Sequence, residues 1–339
     1  MTHTHFDALP LVDVSGLQAS DPATRLATAQ ALGRAARDCG FFYATGHGLP
    51  TALTEALITQ AQSFFALPIE EKMRWYIGLS PNHRGYVPEG EETFAAGTYD
   101  RKEAFDLSFE LPTLDPTAPT LGPNVWPSLP GFQPAVSAYY NAAFALGRTL
   151  LRGFALALDL EESYFDRFVT QPPSQLRLIH YPYLPDVVDA PGIGAHTDYE
   201  CFTILLPTAP GLEVMNGAGT WIDAPPVPGA VVINIGDMLE TFTNGELIAT
   251  SHRVRKVEQE RYSFPLFFTC DYHTLVEPLP PFVSASNPAR YPALVAGEHL
   301  YAQTVQSFTY LKQRLQRGEL RLPDGARPLS SFGQEARTK

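Results

Sequence analysis

Cysteine is scarce. The 339 residues carry three cysteines, Cys39, Cys201 and Cys270, and none sits in a CxxC pair. No disulfide framework can be built from them, the spacing argues against a structural zinc site, and a reducing cytoplasm is the expected home. Basic residues are also few: Lys and Arg number 24 against 36 Asp and Glu, a formal net charge of −12. The positive field that draws nucleic acid or an anionic membrane surface is therefore missing, and neither is expected as a partner. Long apolar runs are absent. Stretches such as 229–235 are far too short to cross a bilayer. Residues 1–10 lack the apolar segment of a secretory leader, so none is expected. No obligate protein partner is evident either.

The chain does have 45% apolar content, too much for a disordered polypeptide, and 31 prolines, which favour loops and strand ends over a helical bundle. The first third reads as α/β. A strand at 9–15 leads to a helix opened by Asp21-Pro22 and ending near Cys39-Gly40. A strand follows at 41–45, then helices at about 50–65 and after 67. Residues 80–130 are loop-rich, with strand-like patches at 85–87 and 105–111. A long helix is predicted over 133–158. Short strands follow at 175–181, 200–206, 212–215, 221–223, 230–235, 247–251, 252–257 and 262–270, and a helix over 296–317 closes the pattern. Short strands at regular spacing with Pro/Gly turns predict a sandwich or barrel, mostly β with flanking helices. The expected organisation is an N-terminal α/β region with substrate-covering loops over 1–130, a catalytic core over 131–325 and a tail over 326–339.

Two of the nine histidines stand out. His196-Thr197-Asp198 is an H-x-D unit, and in extended chain residues i and i+2 share a side. His252 lies fifty-six residues on, after Thr250-Ser251. Two imidazoles and one carboxylate form the facial triad of non-haem Fe(II) oxygenases, which leaves metal positions open for a co-substrate and O2. Nine residues beyond His252 comes Arg261-Tyr262-Ser263. If the strands around His252 and Arg261 pair or run on, Arg261 and Ser263 face one way, and a guanidinium beside a hydroxyl suits a carboxylate.

In this order, H-T-D, a distal His and R-x-S resemble the isopenicillin N synthase-like family of Fe(II)- and 2-oxoglutarate-dependent oxygenases. Further likeness runs through Cys39-Gly-Phe-Phe-Tyr-Ala-Thr-Gly-His-Gly48, Gly85-Tyr86, Val232-Ile-Asn-Ile-Gly-Asp237 and Thr250-Ser-His-Arg253. The resemblance implies a double-stranded β-helix (jelly-roll) core with the N-terminal α/β region packed on it. By position, it implies that His196, Asp198 and His252 bind Fe(II), and that Arg261 and Ser263 hold the distal carboxylate of 2-oxoglutarate with support from Tyr181. The implied reaction oxidises a small organic substrate, by hydroxylation as the default, and releases succinate and CO2. Some relatives keep R-x-S without using 2-oxoglutarate, so an oxidase is a second reading. Outside the class stand a non-catalytic binding protein on the same barrel and a cupin-like hydrolase.

Substrate contacts are expected from Tyr199, next to the aspartate, and from Phe268 of the pair Phe267-Phe268, one of which strand alternation aims inward. Arg177, two residues before Ile179, is expected to share the inward face and touch the co-substrate. Tyr86-Val-Pro-Glu-Gly-Glu-Glu-Thr93 resembles a loop of the bacterial ethylene-forming enzyme. That likeness implies an alternative, ethylene formation or arginine oxidation, with Glu92 binding a cation. A solvated loop is the plain alternative for Glu91 and Glu92. His47 is read as a turn residue, His180 as structural, on the strand face opposite Tyr181, and Asn234, Gly236 and Asp237 as a turn.

Overall fold

The computed structural model describes residues 5–93, 101–183 and 193–329. The first strand, β1 (Leu11–Asp13), leads to α1 (Pro22–Asp38). Asp21 caps that helix by accepting from the Ala23 and Thr24 amides, and proline at the first position lacks only an N–H that the first turn cannot use. Gly40 ends it in a left-handed turn, where a Cβ would lie 2.2 Å from the Ile248 carbonyl. Then come β2 (Phe41–Thr45), α2 (Thr51–Phe65), α3 (Ile69–Met73), β3 (Gly85–Val87), β4 (Glu103–Ser108) and the long α4 (Phe132–Ala157). The second half runs β5 (Gln175–Tyr181), β6 (Ile193–His196), β7 (Phe202–Pro207), β8 (Leu212–Met215), β9 (Trp221–Asp223), β10 (Val231–Ile235), α5 (Asp237–Phe242), β11 (His252–Val254) and β12 (Arg261–Phe268). It closes with β13 (Leu275–Val276), β14 (Leu294–Val295), α6 (Ala296–Ser307) and α7 (Thr309–Gln316).

The strands form an eight-stranded sheet, ordered β1-β2-β10-β7-β12-β5-β4-β3, a four-stranded sheet, ordered β6-β11-β8-β9, and a small β13-β14 pair. The two large sheets make the jelly roll, with helices on the outside. Alternation along each strand of the large sheet decides which side chains go where. On β12, Phe264, Leu266 and Phe268 join the core built with α1, α2 and α4, while Arg261, Ser263, Pro265 and Phe267 line a cavity between the sheets. The same split on β5 sends Leu176 and Leu178 to the helices and Ile179 and Tyr181 inward. Close approach of α4 depends on Gly147, where a Cβ would sit 2.3 Å from the Phe268 ring. The N-terminal region supplies β1 and β2 beside β10, and β3 and β4 beside β5, so it extends the same sheet.

Two expected elements differ. Residues 247–251 form no strand. The Thr250 hydroxyl donates to the Cys39 carbonyl at 2.7 Å and the Ala249 amide donates to the Glu240 carboxylate at 2.5 Å, so side chains and the end of α1 hold this segment. The helix expected over 296–317 is broken at Phe308, which is extended (φ −86°, ψ 132°). Chain 91–93 lies against the break: the Thr93 amide donates to the Ser307 carbonyl at 3.0 Å and the Thr309 amide to the Glu91 carbonyl at 2.9 Å. The break supplies backbone partners to a loop, a reason that no local residue signals. Of the expected tail, 330–339 lies outside the described residues.

Candidate metal and co-substrate site

Strands β6 and β11 are antiparallel, with His252 directly opposite His196. This register sets the two imidazoles side by side, ring centroids 4.3 Å apart. After His196 the chain leaves the strand and turns Asp198 back between them. Asp198 Oδ1 lies 3.5 Å from His196 Nε2 and 3.5 Å from His252 Nε2. The far atom of each group is already tied. His196 Nδ1 meets the Gly194 carbonyl at 2.9 Å, and His252 Nδ1 meets the Thr250 carbonyl at 3.1 Å. Each Nδ1 therefore carries its proton, and each Nε2 lone pair points at the shared centre. Asp198 Oδ2 accepts from Asn234 Nδ2 at 2.7 Å and from the Thr203 hydroxyl at 2.5 Å, which leaves Oδ1 for a metal. Phe41 packs edge-on against His252 at 5.1 Å. Burial opposes a charged Asp198, yet His252 and His196 outweigh it and hold its carboxyl well below the usual range. Among the described residues these three form the one group able to hold a metal ion, their ligand atoms within 4.8 Å of one another.

Two cavities meet at this group. The inner one, about 60 Å³, lies between the sheets, and its polar end is made by Arg261, Ser263 and Tyr181. Arg261 is 1% exposed. Its Nε donates to the Ala209 carbonyl at 3.2 Å and its guanidinium stacks over the Tyr181 ring at 4.7 Å. Its Nη1 is buried with no hydrogen-bond partner among the described residues. Burial pulls its pKa below the ordinary arginine value, against the charge interaction and hydrogen bond with Tyr181. A buried, partly unpaired guanidinium is costly unless an anion completes it. The expectation that the strands of His252 and Arg261 pair or run on is corrected: β11 pairs with β6 and β8, and β12 with β5 and β7. The metal group and the arginine belong to opposite sheets and face each other across the cavity.

The outer cavity, about 120 Å³, shares His196, Asp198 and Phe267 and adds His83, Tyr199 and Phe308. Its charged wall is a closed network. Arg177 Nε and Nη2 bind Asp106 at 2.8 and 2.7 Å, and Nη1 binds both oxygens of Glu92 at 2.8 and 3.0 Å. Lys102 Nζ meets the same Glu92 at 3.0 Å. Burial opposes the Glu92 charge, but Arg177 and Lys102 outweigh it and lower its pKa to about 2.

Residues 9–129 match the family model for the N-terminal region of non-haem dioxygenases in morphine synthesis, and residues 172–269 match that of the 2OG-Fe(II) oxygenase superfamily. A 2-oxoglutarate-Fe(II) type oxidoreductase, hxnY, of Emericella nidulans is 34% identical over 316 residues, which cover 89% of this chain and 90% of that one. The chain belongs to the 2OG-Fe(II) oxygenase superfamily. A homoarginine-6-hydroxylase of Oryza sativa subsp. japonica is 35% identical over 324 residues, covering 89% of this chain and 98% of the relative. A full-length Neurospora crassa protein crystallised in complex with alpha-KG superposes with a TM-score of 0.77 at 27% identity, covering 93% of this chain and 98% of that one. The protein is thus an Fe(II)- and 2-oxoglutarate-dependent dioxygenase that uses O2.

Within this 2OG-Fe(II) oxygenase the structure brings together His196, Asp198, His252, Arg261, Ser263 and Tyr181, and puts Tyr199 on the outer cavity. Four expectations change. Phe268 packs in the core, stacked on Phe202 at 4.9 Å, and Phe267 faces both cavities instead. Parity decides it: 268 is an odd number of residues from 261 and takes the opposite strand face. Arg177 does share the inward strand face of Ile179, but it lines the outer cavity with each guanidinium nitrogen engaged by Asp106 or Glu92 in place of a co-substrate. Glu92 is 3% exposed, which overturns a solvated loop, and it already holds two cations. Asn234, read as a turn residue, orients Asp198. Sequence reasoning misses His83 altogether. It has a left-handed backbone (φ 63°), and its Nδ1 meets the Tyr310 hydroxyl at 2.7 Å. Only its place in Asn82-His-Arg-Gly-Tyr86, before a strand, marks a turn.

Proposed function

We propose that this oxygenase hydroxylates a small organic molecule held in the outer cavity, with 2-oxoglutarate in the inner one. The observation that carries the reading is the convergence of His196 Nε2, His252 Nε2 and Asp198 Oδ1 opposite the unpaired Nη1 of Arg261. His196, Asp198 and His252 would hold Fe(II), and their tied far atoms keep the three donors aimed without reorganisation. Arg261 would complete its fork on the distal carboxylate of 2-oxoglutarate, with Ser263 and Tyr181 beside it. When bound, the iron supplies the redox chemistry that couples oxidative decarboxylation of 2-oxoglutarate, to succinate and CO2, with oxidation of the substrate. Phe267, at the junction of the cavities, separates the two ligands and excludes water. Tyr199 and His83 wall the substrate side.

A net charge of −12 supports a small-molecule substrate over nucleic acid or an anionic membrane. No helix among the described residues is long and apolar enough to cross a membrane, and the three cysteines are free, which supports a reducing cytoplasm. The rice relative's name supports a homoarginine-like substrate as a second reading. There, a guanidinium would have to displace Lys102 from Glu92, so the pairing favours the broader reading.

The test is anaerobic. Protein loaded with Fe(II) and then 2-oxoglutarate should develop a visible metal-to-ligand charge-transfer band, and Asp198→Ala should bind no iron and give none. Iron binding without a band would return Arg261 and Ser263 to the substrate's own carboxylate. Normal iron binding by Asp198→Ala would overturn the ligand assignment.

A further inference from the structure

A titratable cluster, buried except for the half-exposed Glu260, lies outside both cavities, on the helix-facing side of the strands that carry Tyr181 and Arg261. His180 is directly opposite Tyr262, and Tyr181 directly opposite Arg261. Both ring nitrogens of His180 face carboxylates: Nδ1 meets Glu103 Oε1 at 2.8 Å, and Nε2 meets Glu260 Oε1. The ring stacks on Tyr262 at 4.8 Å and lies 5.3 Å from Phe65. Glu103 also accepts from Lys72 Nζ at 2.7 Å and from the Tyr86 hydroxyl at 2.5 Å. Glu260 Oε2 accepts from the Tyr183 amide at 3.2 Å. The groups facing His180 are therefore Glu103 from β4, Glu260 and Tyr262 at the start of β12, and Phe65 from α2, with Lys72 of α3 and Tyr86 of β3 behind Glu103.

An imidazole that donates to two carboxylates has to be protonated, because the neutral ring turns a lone pair toward one of them. Burial works against the charge, but the two carboxylates outweigh it and raise the His180 pKa above the ordinary histidine value of 6.5. The pairs are complete below that value and are lost as pH rises through the raised one. Glu260 is the residue before Arg261, so its release frees the end of β12 at the co-substrate arginine.

We propose that His180 is a positioning residue for co-substrate binding: as an imidazolium bridging Glu103 and Glu260 it fixes the start of β12, and with it the aim of Arg261 at the distal carboxylate of 2-oxoglutarate. This rests on the assignment of Arg261 above. The bridge makes 2-oxoglutarate affinity depend on pH above neutrality although neither the ligand's carboxylates nor the guanidinium titrates there.

Anaerobic titration of the Fe(II)-loaded full chain with 2-oxoglutarate, followed by the charge-transfer band from pH 6.5 to 9, tests it. In the native protein the Kd should rise across this range. His180→Gln should bind about tenfold more weakly at pH 6.5, the low end of what losing an orienting partner costs a site, and its Kd should be flat with pH. Glu260→Gln, a change at a half-exposed side chain, should also flatten the profile, and it keeps the test alive if His180→Gln folds poorly. The metal-binding side chains are common to all three proteins, so the difference between profiles isolates the bridge. A native profile without pH dependence overturns the proposal, as does a native-like slope in both variants. Arg261→Gln separates the two readings. Tight binding in that variant removes the carboxylate assignment itself, whereas weak binding there with unchanged slopes in the other two removes only the bridge.

Discussion

The two cavities on either side of the metal group are built by opposite means. The inner one is walled by alternate residues of regular strands, and its cation keeps a buried donor without a protein partner. The outer one adds loops and a helix break to strand residues of β5, β6 and β12, and its cations are matched: Arg177 and Lys102 against Glu92 and Asp106. A buried donor left unmatched is tolerated where a ligand is to complete it, whereas a matched network holds elements together. Charge near the metal thus has two meanings, and the hydrogen-bond inventory separates them. On the proposed reading Arg261 belongs to a ligand, and Arg177 belongs to the fold.

Replacing each arginine tests this contrast most severely. Arg177→Leu would leave Glu92 and Asp106 buried with too few partners, and breaking a buried pair from one side costs about 3–5 kcal/mol. Chemical denaturation should register a loss of that order. Arg261→Gln should leave the denaturation midpoint near that of the native chain. It should weaken 2-oxoglutarate binding by about 10- to 150-fold, the equivalent of a charged hydrogen bond worth about 1.5–3 kcal/mol. If Arg261→Gln destabilised the fold as much as Arg177→Leu, the two arginines would be alike and the contrast would fail.

The same contrast explains what could be read in the sequence. Arg261 and Ser263 were legible because a strand repeats every two residues, and counting on to Phe267 would have corrected the choice of Phe268. The facial group was legible as residue types, although the cross-strand register of His196 with His252 was not, because β6 lies in the chain 193–196 that gave no strand signal. The eight-stranded sheet was largely foreseeable from strand pattern, while its extension by β1 to β4 depended on pairings distant in sequence. The outer wall was not legible. Glu92, Arg177 and Phe308 come together through a helix interrupted without glycine or proline, and His83 through a single left-handed residue. Those are tertiary decisions with weak local signatures.

Acid should reveal the matched network next. Glu92 is held down to about 2, against an ordinary 4.5. A carboxylate with a lowered pKa contributes stability that is fully present above the ordinary value and is lost as pH falls through the lowered one. That shift corresponds to about 3 kcal/mol at most. Asp106 shifts upward, burial being the main cause, so it offsets part of this loss. Denaturation followed from pH 5 to pH 2 should therefore show less acid sensitivity in Glu92→Gln than in the native chain, at the expense of lower stability at pH 7. Equal slopes would show that Glu92 does not titrate with the fold.

The smallest expected effect concerns Asn234, which tests whether the inner side is fixed as firmly as its geometry implies. Asn234 sits on β10 opposite Thr203 of β7, and both reach Asp198 Oδ2. Two donors on one oxygen fix the carboxylate plane and reserve Oδ1 for the metal. Asn234→Ala removes one donor and leaves the other, so Asp198 keeps its charge but gains rotation. Loss of such an orienting partner lowers metal affinity by about 10- to 100-fold, and with Thr203 still in place the low end is expected. Fe(II) or Mn(II) binding by calorimetry would measure it. The Kd for metal should rise while the Kd for 2-oxoglutarate at saturating metal stays unchanged, because Arg261 is two strands away on β12, with β7 between, and has no bond to Asn234. A change in 2-oxoglutarate affinity with no change in metal affinity would mean that β10 acts on the arginine end of the cavity, and that the division between metal-holding and carboxylate-holding strands is drawn in the wrong place.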